Sequence, residues 1–314
     1  MTSFCKIWLP VVLFALFLFF HIPFFKGQEK EIPNTETFIS KIVHPSGKTF
    51  FDKPDISQED MVKFAKNASK KTGVRPEFLM AILSQESSLG KNVGSCFLFD
   101  PGLFGRGVGV NFNTGTFSSK IMKPDRDVDP FLKIMNDLGR NPFFTPVSCP
   151  MKIGWGGAMG WHQILPSTWV LVDDRTADAL EKDQVDPWNP EDSTMAAAIH
   201  LKDLGATRGK VSDERTAACR YFSGKPCGEK RVVLVRKTKR GKLHRKMMYV
   251  ENRMIASYGN SIVKKTAYFH KILNPHPVLI AKDDSKAKGK SASVPKKQEI
   301  AKNFPKEKTK KKQG

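Results

Sequence analysis

Acidic residues are in short supply. The 314-residue chain carries 31 Asp and Glu against 52 Lys and Arg, a formal net charge of +21. Such a charge suits an anionic partner: nucleic acid, an acidic membrane face or an anionic polymer. Cysteine is scarce too, with 5 in all and no C-x-x-C pair. No histidine stands at ligand spacing from a cysteine, so no metal site is expected. No internal repeat is present, which argues against solenoid and propeller architectures. Apolar residues are not lacking. A hydrophobic fraction of 40%, with 23 Phe, excludes a wholly disordered chain, and the length allows one large domain or two small ones.

The positive charge is concentrated in two places. Residues 225–250 hold ten Lys and Arg against Glu229, and residues 282–314 hold twelve Lys against Asp283, Asp284, Glu299 and Glu307. These segments contribute +9 and +8, so the rest of the chain is close to neutral. The basicity belongs to appendages, and no nucleic-acid partner is expected.

The ends of the chain bear on the compartment. Ile7 to Phe25 is apolar except for His21, long enough to span a bilayer and also suited to a secretory signal. No A-x-A cleavage site follows, which favours an uncleaved anchor. The expected division is therefore a signal peptide or membrane anchor over 1–27, a folded domain over 35–281, and a disordered Lys-rich tail over 282–314. Four cysteines follow the export segment, Cys96, Cys149, Cys219 and Cys227, an even number that points to an oxidising compartment. Three connectivities are open. The short spacing favours Cys219–Cys227, which leaves Cys96 with Cys149, and four free thiols remain the alternative.

The domain reads as mainly α. Ser57 to Lys71 predicts a helix, with Ser57 and Asp60 at capping positions, Met61, Phe64, Ala65 and Ala68 on one face, and Gly73 past the end. Pro76 opens a second helix that Gly90 is expected to close. Residues 92–155 read as a long irregular insert with a short helix around Pro130–Leu138. Further helices are expected from Pro166, over Glu191–Leu204, over Thr216–Phe222 and over Ser261–Ile272. Arg231–Val235 and Lys246–Val250 read as a small basic β-hairpin turning at Arg240-Gly241.

The second helix holds the most informative residue. Its apolar stripe runs Leu79, Ile82, Leu83, and the next position on that stripe is Glu86. A carboxylate there faces burial and the negative end of the helix dipole, and both raise its pKa. A carboxylic acid that keeps its proton near neutral pH is what a glycosidic general acid requires. A second motif, Gly154 to Trp169, clusters glycines with Trp155, Trp161 and Trp169, which read as platforms for sugar faces, and with Gln163, which offers both a donor and an acceptor.

Glu86-Ser87 at a helix end, then Gly157-Ala158-Met159-Gly160-Trp161-His162-Gln163, then Arg220-Tyr221-Phe222-Ser223-Gly224, together resemble the lytic murein transglycosylases. The resemblance implies a lysozyme-like helical fold. It also implies non-hydrolytic cleavage of the β-1,4 bond between N-acetylmuramic acid and N-acetylglucosamine in peptidoglycan, with no cofactor. Glu86 would act as acid and then as base, with Ser87, Met159, Gly160, Gln163 and Tyr221 around the substrate. The implied location is extracytoplasmic in a bacterium, with the membrane engaged through the N-terminal segment and an anionic wall polymer through the Lys-rich tail. Two departures stand out. Phe222 occupies a position where the family usually has Asn, and His162 is unusual in the glycine motif, where it reads as a partly exposed structural residue, with a substrate contact as the alternative. The rival readings are a hydrolytic muramidase on the same fold and a non-catalytic wall-binding protein.

Overall fold

A computed structural model describes residues 54–152, 154–206, 210–236 and 243–275. The expected N-terminal anchor or signal, the Lys-rich tail and the hairpin turn at Arg240-Gly241 lie outside the described residues. Among those described, no helix is long and apolar enough to cross a membrane.

Helix α1 spans Gln58–Thr72. The Ser57 hydroxyl accepts the backbone N–H of Asp60 at 3.0 Å, and Gly73 turns the chain out of the helix at φ 83°. Helix α2 follows at Pro76–Ser87, with Pro76 at its first turn. It ends before Gly90, contrary to expectation, because Ser88, Leu89 and Gly90 all adopt left-handed backbone. The ring of the buried Trp161 fills the space where a β-carbon on Gly90 would lie, so only glycine fits at that position.

The segment expected to be irregular contains a small antiparallel sheet. Strands β1 (Cys96–Leu98), β2 (Gly109–Asn111) and β3 (Phe117–Ser118) lie in that order, with Phe97 opposite Val110 and Val110 opposite Phe117. Helix α3 (Pro101–Phe104) sits between the first two strands, and α4 (Val128–Asp137) follows the third. Strands of two or three residues are too short for apolar alternation to show in a sequence.

Two short helices, α5 (Pro166–Trp169) and α6 (Asp173–Leu180), lead to α7 (Pro190–Asp203). Asn189 caps α7 by accepting the N–H groups of Glu191 and Asp192. The middle of α7, from Asp192 to Ile199, is buried, and its alanines let α1 and α6 pack close against it. Helix α8 (Val211–Ser223) precedes the ribbon of β4 (Gly228–Arg236) and β5 (Leu243–Glu251), paired antiparallel with Gly228 opposite Glu251.

The final helix, α9, runs over Arg253–Leu273 and so begins well before the expected Ser261. Asn252 caps it, accepting from the N–H groups of Met254 and Ile255. It packs along α2 and α8. The cysteines pair as Cys96–Cys149 and Cys219–Cys227. The first bridge ties β1 to the far end of the insert, and the second ties α8 to the foot of the ribbon.

Candidate active site

Helix α2 runs through the core, with Phe78 to Leu83 all buried, and then delivers Glu86 to a cleft of about 460 Å³. Three parts of the chain wall the cleft. Trp155, Gln163 and Leu165 come from the glycine-rich turn, Tyr221 and Phe222 from α8, and Tyr258 from α9. Asn92, Ser95 and Cys149 add a fourth side from the disulfide-tied insert. Glu86 is the one carboxylate among the described residues that line it.

Glu86 is half-buried in the cleft wall, and its neighbours strip water from the carboxyl. That desolvation pushes its pKa up to about 7. Two effects oppose the rise and lose: a hydrogen bond from the Tyr258 hydroxyl to Oε1, and the positive charge of Lys265. Tyr258 is itself held neutral, its pKa raised well above the phenolic range by burial and by the nearby Glu86. Phe222 stacks on the Tyr258 ring, with centroids 4.7 Å apart and planes 13° apart. The residue that departs from the family pattern thus braces the tyrosine that holds the acid.

The glycine-rich turn is pinned from several sides. Met159 and Ile164 exchange backbone hydrogen bonds at 2.9 and 3.1 Å, which closes the turn that carries Gln163. The Gln163 amide donates to the Gly160 carbonyl at 2.7 Å. Gly160 has φ 64°, and the Pro187 carbonyl sits where its side chain would be, so only glycine fits. The Tyr221 hydroxyl donates to the His162 carbonyl at 2.6 Å and fastens α8 to the same turn. Burial, and then the charge of Glu86, raise the Tyr221 pKa well above its ordinary value.

Of the residues singled out from the sequence, the structure brings Glu86, Gln163 and Tyr221 to the cleft. Met159 is buried, and neither it nor Gly160 is among the lining residues; both act through the shape of the turn. Ser87 is also buried. Its hydroxyl donates to the Leu83 carbonyl and accepts the Gly90 N–H at 2.9 Å, so it secures the end of α2 and does not face the cleft.

Two readings need correction. Trp161 and Trp169 are core residues, each 2% exposed, and cannot serve as sugar platforms; Trp155, 39% exposed, is the one that lines the cleft. The indole N–H of Trp161 is used internally, donating to the Trp188 carbonyl at 2.9 Å. His162 is fully buried rather than partly exposed, and burial drives its pKa down to about 3, so it is neutral. Its backbone N–H donates to the Ser193 hydroxyl at 3.1 Å, and its ring Nδ1 lies 3.3 Å from the same oxygen. Asp186 is held by Arg140 at 2.6 and 2.8 Å and is not among the residues lining the cleft.

Tyr258 is the site residue that sequence reasoning missed. The expected helix began at Ser261 and left it in a linker. The signal was present in the Asn252 cap and in the spacing of Ile255, Tyr258 and Ile262. No cluster of His, Cys, Asp or Glu able to hold a metal ion occurs among the described residues.

Residues 63–242 match the transglycosylase SLT domain, and the chain belongs to that family. No curated protein sequence matches it. Among solved structures, it is similar to the Escherichia coli lytic transglycosylase SLT35 in complex with calcium, at 16% identity over 82% of this chain and 83% of that one, with a TM-score of 0.37. SLT35 in complex with bulgecin A matches at 15% identity over 82% of each chain, again with a TM-score of 0.37. The soluble lytic transglycosylase SltB1 of Pseudomonas aeruginosa matches at 16% over 83% of this chain and 93% of that one, with a TM-score of 0.39.

Proposed function

We propose that the protein is a peptidoglycan lytic transglycosylase that cleaves the N-acetylmuramic acid–N-acetylglucosamine β-1,4 bond and leaves a 1,6-anhydro end. The observation that carries this reading is a single carboxylic acid, with a pKa near 7, in a cleft whose described lining has no second carboxylate. Glycoside hydrolysis by the two-carboxylate route needs a partner for water or for a covalent intermediate, and substrate assistance does not.

In the first step the Glu86 proton passes to the glycosidic oxygen, the C1–O bond breaks, and the substrate's acetamido oxygen closes on C1. In the second step the Glu86 carboxylate takes the proton of the muramic C6 hydroxyl. O6 then attacks C1, the acetamido oxygen departs, and Glu86 is protonated again. No water is consumed. Tyr258 fixes the carboxyl and favours its ionised form, so the group can give and recover a proton near neutral pH. Trp155 offers an apolar face for a sugar ring, and Gln163 and Tyr221 border the acid.

The two disulfides fit an extracytoplasmic setting. In this reading the N-terminal apolar segment exports or anchors the chain, and the Lys-rich tail adheres to an anionic wall polymer.

The test is mass analysis of muropeptides released from purified peptidoglycan by the wild type and by Glu86→Gln. Anhydro-ended products are expected from the wild type, with release by the folded variant lowered by about a thousandfold. Reducing-end products would make the enzyme a hydrolase. Undiminished release by Glu86→Gln would remove Glu86 from the mechanism.

A further inference from the structure

The β4–β5 ribbon has no role in the cleft chemistry, and its surface has an unusual composition. Side chains alternate between its two faces. The register sets Lys230 opposite Tyr249 and Val232 opposite Met247, so these four share one face, with Arg245 next along β5. Val232, Met247 and Tyr249 are 61%, 58% and 55% exposed, a cluster of large apolar side chains left in water. The two acids at the ribbon's foot are already engaged, Glu229 by Arg231 and Glu251 by Arg215. The face is therefore apolar in the middle and cationic around it, within a segment whose sequence charge over 225–250 is +9.

We propose that this face docks the protein onto an anionic lipid surface. Lys230 and Arg245 meet headgroup phosphates, and Val232, Met247 and Tyr249 enter the boundary between headgroups and acyl chains. Cations close to such a surface are drawn to it by its negative potential. Tyrosine suits the boundary because its ring is apolar and its hydroxyl is polar. Two other occupants fit less well. A hydrophilic polyanion would neutralise the cations but leave Val232 and Met247 in water. A partner strand would pair with a ribbon edge and leave this face as exposed as before.

The experiment uses the full chain with vesicles of phosphatidylcholine, with and without phosphatidylglycerol. The N-terminal apolar segment and the Lys-rich tail can themselves carry the chain to a vesicle, so the readout must be local. In Tyr249→Trp, the added tryptophan fluorescence is expected to be quenched when the phosphatidylglycerol is brominated. The double variant Val232→Ser, Met247→Ser should bind the anionic vesicles about tenfold more weakly, because apolar surface no longer leaves water. Its release of muropeptides from soluble glycan fragments should match the wild type, which certifies the fold and separates this proposal from the catalytic one. An unquenched Trp on vesicle-bound protein would overturn the proposal. So would wild-type vesicle affinity in the double variant, or a loss confined to binding of purified wall polymer.

Discussion

Around Glu86, one carboxyl is walled in by two tyrosines, a phenylalanine and an amide, and its pKa rises to about 7. On the β4–β5 ribbon, Lys230, Arg231, Arg245 and Lys246 stand on exposed strands in water. In the cleft, desolvation changes what a single group can do, because removing water penalises the charged form directly. On the ribbon, water screens each charge, and the cations matter only as a set that meets an extended anionic surface. Burial makes charge chemically specific, and exposure leaves it adhesive. The two disulfides divide in the same way, Cys96–Cys149 closing one wall of the cleft and Cys219–Cys227 fixing the foot of the ribbon.

The largest separation between the two regions should come from these bridges. Cys96–Cys149 spans 53 residues of sequence and Cys219–Cys227 spans 8. By loop-closure entropy, replacing both cysteines of the first pair with Ala should cost about 4 kcal/mol of stability, and of the second about 2.5 kcal/mol. Denaturant titration of the two variants measures this. Equal losses would mean that strain or residual structure, and not chain length, sets the contribution.

The next effect concerns stability against pH. The folded-state pKa of Glu86 lies above its unfolded value of 4.5, so its favourable contribution is complete below that value and is lost as pH rises through about 7. Glu86→Gln removes the loss. The variant should therefore be more stable than the wild type by about 3 kcal/mol near pH 8, with the difference vanishing near pH 4. Thermal unfolding at the two pH values checks it, and a variant less stable at pH 8 would mean the carboxylate is well solvated.

The smallest effect sharpens the role of Tyr258. Its hydrogen bond lowers the Glu86 pKa, so Tyr258→Phe should move the alkaline limb of the rate profile to higher pH and lower the rate by about tenfold. The same substitution should leave vesicle binding unchanged. A rate loss without a shifted limb would mean that Tyr258 acts only by packing against Phe222.

Much of this was legible in the amino-acid order. The Ser57 cap and Gly73 stop of α1, the Pro76 start of α2, and the position of Glu86 on the apolar stripe all follow from local patterns. The concentration of positive charge in 225–250, and the choice between disulfide partners, were readable from spacing. Other features were hidden because they depend on distant parts of the chain. The three tryptophans of one motif look alike in sequence, and only packing separates the exposed Trp155 from the buried Trp161 and Trp169. His162 looked half-exposed until Ser193 and the core closed over it.

The sequence by itself determined where helices begin, which carboxyl stands among apolar neighbours, and where charge accumulates, because caps, periodicity and composition act within a few residues. Only the tertiary structure decided that Tyr258 meets Glu86 across 172 positions, that Phe222 backs that tyrosine, and that Trp161 leaves no room for a β-carbon at position 90. A cleft is made by surfaces that approach one another through space. Its chemistry is set by the water that this approach removes, which no local pattern records.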